Sequence, residues 1–85
     1  MRVIISPKAK RQVKKLSTVN RIVIVKKIRL LSDSIDYKSQ NLKKLKGYEN
    51  IYRLRVGTMR IIFKNNKDEI YIVSVGHRKD IYKSF

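Results

Sequence analysis

The stretch Ile51-Tyr52-Arg53-Leu54-Arg55-Val56-Gly57-Thr58-Met59-Arg60-Ile61-Ile62-Phe63 constrains the fold more than any other, because strand periodicity runs on both sides of a glycine turn. Over Ile51 to Val56, Tyr52, Leu54 and Val56 fall on one face and Arg53 and Arg55 on the other, since successive side chains of a strand point oppositely. Gly57-Thr58 supplies the turn, glycine being free to take positive φ. On the return strand Arg60, Ile62 and Lys64 alternate with Met59, Ile61 and Phe63, and a suitable register sets Arg60 beside Arg53 and Arg55. Like charges on neighbouring strands repel unless an anion sits among them. Guanidinium groups stay charged at physiological pH and match phosphate oxygens in pairs. A solvated hairpin face accounts for one such arginine; three together point to a phosphodiester.

Charge supports the same direction. With 22 Lys+Arg against 6 Asp+Glu, the 85-residue chain carries a formal net charge of +16. Such a surface attracts polyanions, nucleic acid first, then an acidic protein or an anionic membrane. The helices described below have apolar stripes of core width and lack the bulky aromatic face of an interfacial helix, which argues against the membrane. The absence of cysteine leaves no disulfide or thiolate metal site, and a single histidine excludes a multi-histidine zinc site, so no cofactor is expected. The opening MRVIISPKAK has too short an apolar run for a signal peptide, and the expected location is the cytoplasm. The length suits one domain over residues 1–85.

In chain order, Arg2-Val3-Ile4-Ile5 fits a strand. Ser6-Pro7 then starts a helix, with serine as cap and proline at the first helical position. Ala9, Val13 and Leu16 form its apolar stripe to about residue 16, while Lys8, Lys10, Arg11, Lys14 and Lys15 cover the rest. Ser17-Thr18-Val19-Asn20 offers caps for a second helix to about Leu31 or Ser32, with Ile24, Ile28 and Leu31 as its core stripe and Ile22 and Val25 beside it. Residues 32–40 read as a loop. Leu42-Lys43-Lys44-Leu45-Lys46-Gly47 reads as a short strand, and Gly47 to Asn50 as a turn into the hairpin. Lys64 to Asp68 is turn-forming, and Glu69 to Val75 is a strand apolar on both faces, hence placed inside the sheet. The expected class is α+β: a β-α-α-β-β-β-β order, an antiparallel sheet, and a helical hairpin on one face.

In the tail, Gly76-His77-Arg78-Lys79-Asp80-Ile81-Tyr82, the glycine is expected to turn the chain sharply and return Arg78 to the arginine face. Tyr82 follows on a short helical turn. A phenol beside guanidiniums has its pKa lowered, because positive charge favours the phenolate, and so serves as a candidate general base.

The runs Lys44-Leu45-Lys46-Gly47, Tyr52-Arg53-Leu54-Arg55-Val56-Gly57 with Arg60-Ile61, and Val75-Gly76-His77-Arg78-Lys79-Asp80-Ile81-Tyr82 resemble the RelE group of the RelE/ParE toxin superfamily, closest to its archaeal and small bacterial members. The resemblance spans essentially the whole chain. It implies a ribosome-dependent endoribonuclease that cuts messenger RNA in the decoding site and is silenced by a RelB-like antitoxin in a hetero-oligomer. Arg53 and Arg55 match two basic positions that are lysines in the best-known member. Arg60 and Arg78 match arginines of its catalytic face, and Tyr82 matches its proposed base.

The resulting assignment has Arg53, Arg55 and Arg60 holding the phosphate, Arg78 stabilising charge or, less readily, donating a proton, and Tyr82 taking the 2′-hydroxyl proton. His77 reads equally as the proton donor or as a histidine that orients the turn. Lys8, Lys10, Arg11, Lys14, Lys15, Lys43, Lys44 and Lys46 are assigned to RNA and ribosome backbone contacts. Tyr48, Tyr52 and Tyr71 read as packing aromatics, with Tyr48 also within reach of a nucleobase from its turn. The antitoxin is expected to bring acidic and apolar residues to the basic groove. Two other readings remain: a ParE-like inhibitor of DNA gyrase without nuclease activity, and a non-catalytic basic RNA-binding module.

Overall fold

The computed structural model describes residues 1–79 and residue 81. The element order is β1 (Arg2–Ile5), α1 (Pro7–Lys14), α2 (Thr18–Asp33), β2 (Leu42–Lys44), β3 (Ile51–Val56), β4 (Met59–Asn66) and β5 (Glu69–His77). These strands form one sheet in the order β1-β5-β4-β3-β2. Antiparallel pairing joins β2 through β5, but β1 pairs with β5 in parallel, with Val3 opposite Ile70 and Ile5 opposite Ile72. An all-antiparallel sheet therefore does not hold at this edge. Residues 3 and 70 are too far apart in sequence for a turn signal to specify their direction.

The helix starts follow their local chemistry. Ser6 Oγ accepts from the Ala9 amide at 3.0 Å, with Pro7 opening α1 where its missing N–H costs nothing. Ser17 Oγ likewise accepts from the Asn20 amide at 3.2 Å at the start of α2. Arg21 then reaches back from α2, its Nη2 donating to the carbonyls of Lys14 at 2.9 Å and Leu16 at 3.3 Å. That caps the carbonyl end of α1 with a cation, where the helix dipole favours positive charge, and ties the two helices at their corner.

Both helices lie over one face of the sheet. Ala9, Ile24, Ile28 and Leu31 meet Val56, Met59, Ile61, Phe63, Ile70, Ile72 and Val75 in the main core, with Val13, Leu16, Tyr52 and Leu54 packed against it. Tyr52 stacks on its cross-strand partner Phe63 with ring centroids 5.6 Å apart. Ile22 is 56% exposed and Val25 36%, so the stripe of α2 is narrower than its apolar content indicates. A helix resting on a sheet buries one side only, and Val19, Ile22, Val23 and Leu30 remain outside.

Two strands run further than their residue types indicate. Lys64, Asn65 and Asn66 continue β4, leaving Lys67-Asp68 alone as the turn before Glu69. Gly76 stays in β5 opposite Arg60, without positive φ, and the helical turn begins only at Arg78. Asparagine and glycine disfavour strands locally, but pairing along the whole length of β4 and β5 overrides that preference. Between them lies a β-bulge: Ile62 pairs with Ser74 and Phe63 with Ile72, leaving Val73 as the extra residue.

Candidate functional site

The Gly57-Thr58 turn fixes the register of β3 against β4, with Val56 opposite Met59, Arg55 opposite Arg60, and Arg53 opposite Ile62. Gly57 has φ 61° and Thr58 is not in the positive region, the pattern of a hairpin turn with glycine at its first central position. Since Val56, Met59, Ile61 and Phe63 point into the core, Arg53, Arg55, Arg60 and Ile62 point to the opposite face.

Arg55 and Arg60 face each other directly, and their heads are drawn apart by separate partners. Arg60, only 8% exposed, donates from Nη1 to the carbonyls of Gly57 at 3.0 Å and Met59 at 2.8 Å. Arg55 donates from Nε to Asn41 Oδ1 at 3.1 Å, and its amide donates to the Asn41 carbonyl at 2.8 Å. Across the sheet, Lys43 on β2 pairs with Arg53 on β3.

From the far side, the end of β5 brings in another cation. The Arg78 amide donates to the Thr58 carbonyl at 3.0 Å, laying the C-terminal turn against the hairpin turn. A Cβ built on Gly76 would come within 3.8 Å of Ile81 Cδ1, and Gly76 is paired with Arg60, so buried Ile81 anchors that turn on the arginine face. A cavity of about 330 Å³ results, lined by Gln40, Asn41, Lys43, Arg53, Arg55, Arg60 and Arg78. It opens beside a wider depression that shares Asn41, Arg55, Arg60 and Arg78 and adds Gly57, Thr58, His77 and Lys79.

The structure thus gathers Arg53, Arg55, Arg60 and Arg78 around one cavity, with His77 in the adjoining depression. Tyr82 lies outside the described residues. Lys43 lines the cavity itself. Lys44 and Lys46 instead flank the β2–β3 loop with Tyr48, which is 51% exposed and so is not a packing aromatic. Lys10, Arg11, Lys14 and Lys15 are exposed and Lys8 half-buried in the helical layer, none of them lining the cavity. Asn41 and Gln40 were not identified from sequence. Residues 32–40 carry no periodicity, and only the pairing of β2 with β3 brings Asn41 alongside Arg55.

Four cationic side chains on the sheet face opposite the helical hairpin, joined by Arg78 from the C-terminal turn, make a small basic protein shaped to hold an anionic group. A sequence model of the family described as the ParE toxin of the type II toxin–antitoxin system, parDE, matches residues 3–82, and the chain belongs to this family, within the RelE/ParE toxin superfamily. Toxin RelE3 of Methanocaldococcus jannaschii is 46% identical over 54 residues, a segment covering 64% of this chain and 61% of that toxin. The match therefore spans less than two thirds of that relative. A crystal structure of the RelB–RelE antitoxin–toxin complex from Methanococcus jannaschii contains a chain 33% identical, with a TM-score of 0.72 over 96% of this chain and 98% of that one. The archaeal RelE–RelB complex from Pyrococcus horikoshii OT3 shares the fold with a TM-score of 0.77 at 22% identity, covering 91% of this chain and 93% of that one.

Proposed function

We propose that this toxin is a ribosome-dependent endoribonuclease that cleaves messenger RNA through attack of a 2′-hydroxyl on the adjacent phosphate. The observation that supports it most is the convergence of Arg53, Arg55, Arg60 and Arg78 on one cavity with Lys43. Such cleavage builds negative charge on a pentacovalent phosphorus, and fixed cations stabilise that charge best when they need not reorganise. The guanidinium of Arg60, buried and tied to two carbonyls, meets that condition.

Arg53 and Arg55 hold the phosphate oxygens, Arg60 and Arg78 stabilise the transition state, and Tyr82 takes the 2′-hydroxyl proton. Arginine is a poor acid, so the leaving 5′-oxygen takes its proton from His77, water or a ribosomal group. The products are a 5′-hydroxyl and a 2′,3′-cyclic or 3′-phosphate. Lys10, Arg11 and Lys14, on a surface apart from the cavity, bind ribosomal RNA backbone in this reading, with the cytoplasm as the site of action. Replacing these three with glutamine should flatten the salt dependence of ribosome binding by about 0.7–0.9 per lost contact on a log–log plot. Cleavage at saturating ribosome should be unchanged. An unchanged slope would remove α1 from the interface.

The cognate partner in this proposal is a RelB-like antitoxin carrying acidic and apolar residues, as the RelB–RelE complexes among the structural relatives suggest. Its acidic residues are assigned to the basic cavity, and its apolar ones to the outer stripe of α2, Val19, Ile22, Val23 and Leu30. The double substitution Ile22→Lys with Leu30→Glu should weaken antitoxin binding by about 2–4 kcal/mol, read by titration calorimetry, with RNA cleavage retained. Undiminished affinity would place the antitoxin elsewhere.

The match to a ParE family model favours one competing reading, inhibition of DNA gyrase by protein contact. Purified ribosomes with a defined transcript separate the two. New 5′-hydroxyl ends that disappear in Arg78→Ala and Tyr82→Phe support the nuclease. Intact transcripts beside blocked supercoiling would replace it with the gyrase reading.

A further inference from the structure

Strand β5 loses its β1 neighbour after Ile72, where β1 ends. From there Ser6, which caps α1, and Gln12 of α1 supply the missing partners. The Ser6 amide donates to the Ile72 carbonyl at 3.0 Å and Ser6 Oγ donates to the Val73 carbonyl at 2.9 Å. Further along, Gln12 Oε1 accepts from both the Val75 amide at 2.8 Å and Ser74 Oγ at 3.1 Å. One amide oxygen therefore replaces a strand carbonyl at the edge of the sheet. It does so just where the bulge at Val73 interrupts the pairing on the other side.

The position of that bulge decides what faces Arg60. Continuing the pairing of Phe63 with Ile72 without an extra residue would set Val75 opposite Arg60 and its isopropyl group on the arginine face. With Val73 left out, Gly76 stands there, Val75 turns into the core at 1% exposed, and the Arg78 amide reaches the Thr58 carbonyl. A one-residue slip of this end would displace Arg78 by about 3.3 Å along the strand.

We propose that Gln12, although it does not line the cavity, is a positioning residue for Arg78. Its oxygen holds the bulged end of β5 in the phase that keeps Gly76 opposite Arg60 and brings Arg78 to the cavity. This inference rests on the nuclease reading for its activity readout, but its structural part can be tested alone.

Gln12→Met keeps the length of the side chain and removes the acceptor, while Gln12→Glu keeps an oxygen in place. Single-turnover cleavage at saturating ribosome should fall by about tenfold to a hundredfold in Gln12→Met, as expected for misplacement by a remote change. Ribosome affinity should stay within about twofold, and Gln12→Glu should recover most of the rate, since only the positioning is altered. A double variant, Gln12→Met with Arg78→Ala, should be no slower than Arg78→Ala, because the first residue acts through the second. The Val75 amide should exchange with solvent faster in Gln12→Met only. Gln12→Asn, whose shorter arm withdraws the acceptor, takes its place should Gln12→Met fail to fold.

Cleavage by Gln12→Met at the wild-type rate, or losses that multiply in the double variant, would overturn the inference. Should the wild type leave transcripts intact, the nuclease reading falls by itself. Inorganic pyrophosphate, titrated against the Arg78 Nε resonance, then decides the role of Gln12. Binding weakened about tenfold in Gln12→Met supports it; equal binding by both proteins overturns it.

Discussion

Arg78→Ala should lower the single-turnover rate of transcript cleavage by about a hundredfold to a thousandfold, the usual loss when one fixed donor to a developing oxyanion is removed. Arg78 enters the cavity from the C-terminal turn, whereas Arg53, Arg55 and Arg60 stand on the hairpin. Its placement depends on the backbone bond from its amide to Thr58, which alanine keeps. The Arg78 side chain is also exposed, so little packing is lost. The rate should therefore fall without a matching fall in stability. Rapid-quench cleavage on programmed ribosomes, with thermal unfolding of the same samples, measures both. Cutting within about twofold of wild type would remove Arg78 from the transition state.

Arg60→Ala should behave differently, losing stability as well as rate. Its guanidinium is buried and donates to the carbonyls of Gly57 and Met59, so alanine leaves these turn acceptors without their charged donor. Hydrogen bonds from charged groups contribute about 1.5–3 kcal/mol each, which sets the expected loss at about 2–4 kcal/mol once relaxation and water entry are allowed for. For a chain of this size that lowers Tm by roughly 10 °C or more. Arg55→Ala is the matched control. It removes an exposed side chain held by one bond to Asn41 and should cost no more than about 1 kcal/mol. Equal melting temperatures for Arg60→Ala and Arg55→Ala would show that the turn does not depend on Arg60.

These two arginines also show how much could be read in advance. Alternation along Ile51 to Phe63, combined with a two-residue glycine turn, leaves one register in which the apolar residues share the core, and it places Arg60 opposite Arg55. Only neighbours in sequence are needed for that register. The burial of Arg60 and the exposure of Arg55 depend instead on the C-terminal turn, which approaches the hairpin through Arg78 and is folded back by the whole of β5. The helices divide in the same way. Ser6-Pro7 and the spacing of Ile24, Ile28 and Leu31 gave α1 its start and α2 its core side. The exposure of Ile22 and Val25 depended on how much of α2 the sheet covers.

From its residues alone, the chain determined its strand and helix order, the hairpin register and the presence of a basic face, because each rests on side-chain period and turn chemistry within a few residues. Tertiary structure decided the parallel edge of β1 on β5, the bulge at Val73, the continuation of β5 through Gly76, and the contacts of Asn41 and Gln12 with distant strands. Each of these is settled by backbone and side-chain groups that find partners dozens of residues away or just across a sheet. Local preference is weak against a full ladder of hydrogen bonds and a closed core, so the outcome at those places belongs to the assembled sheet.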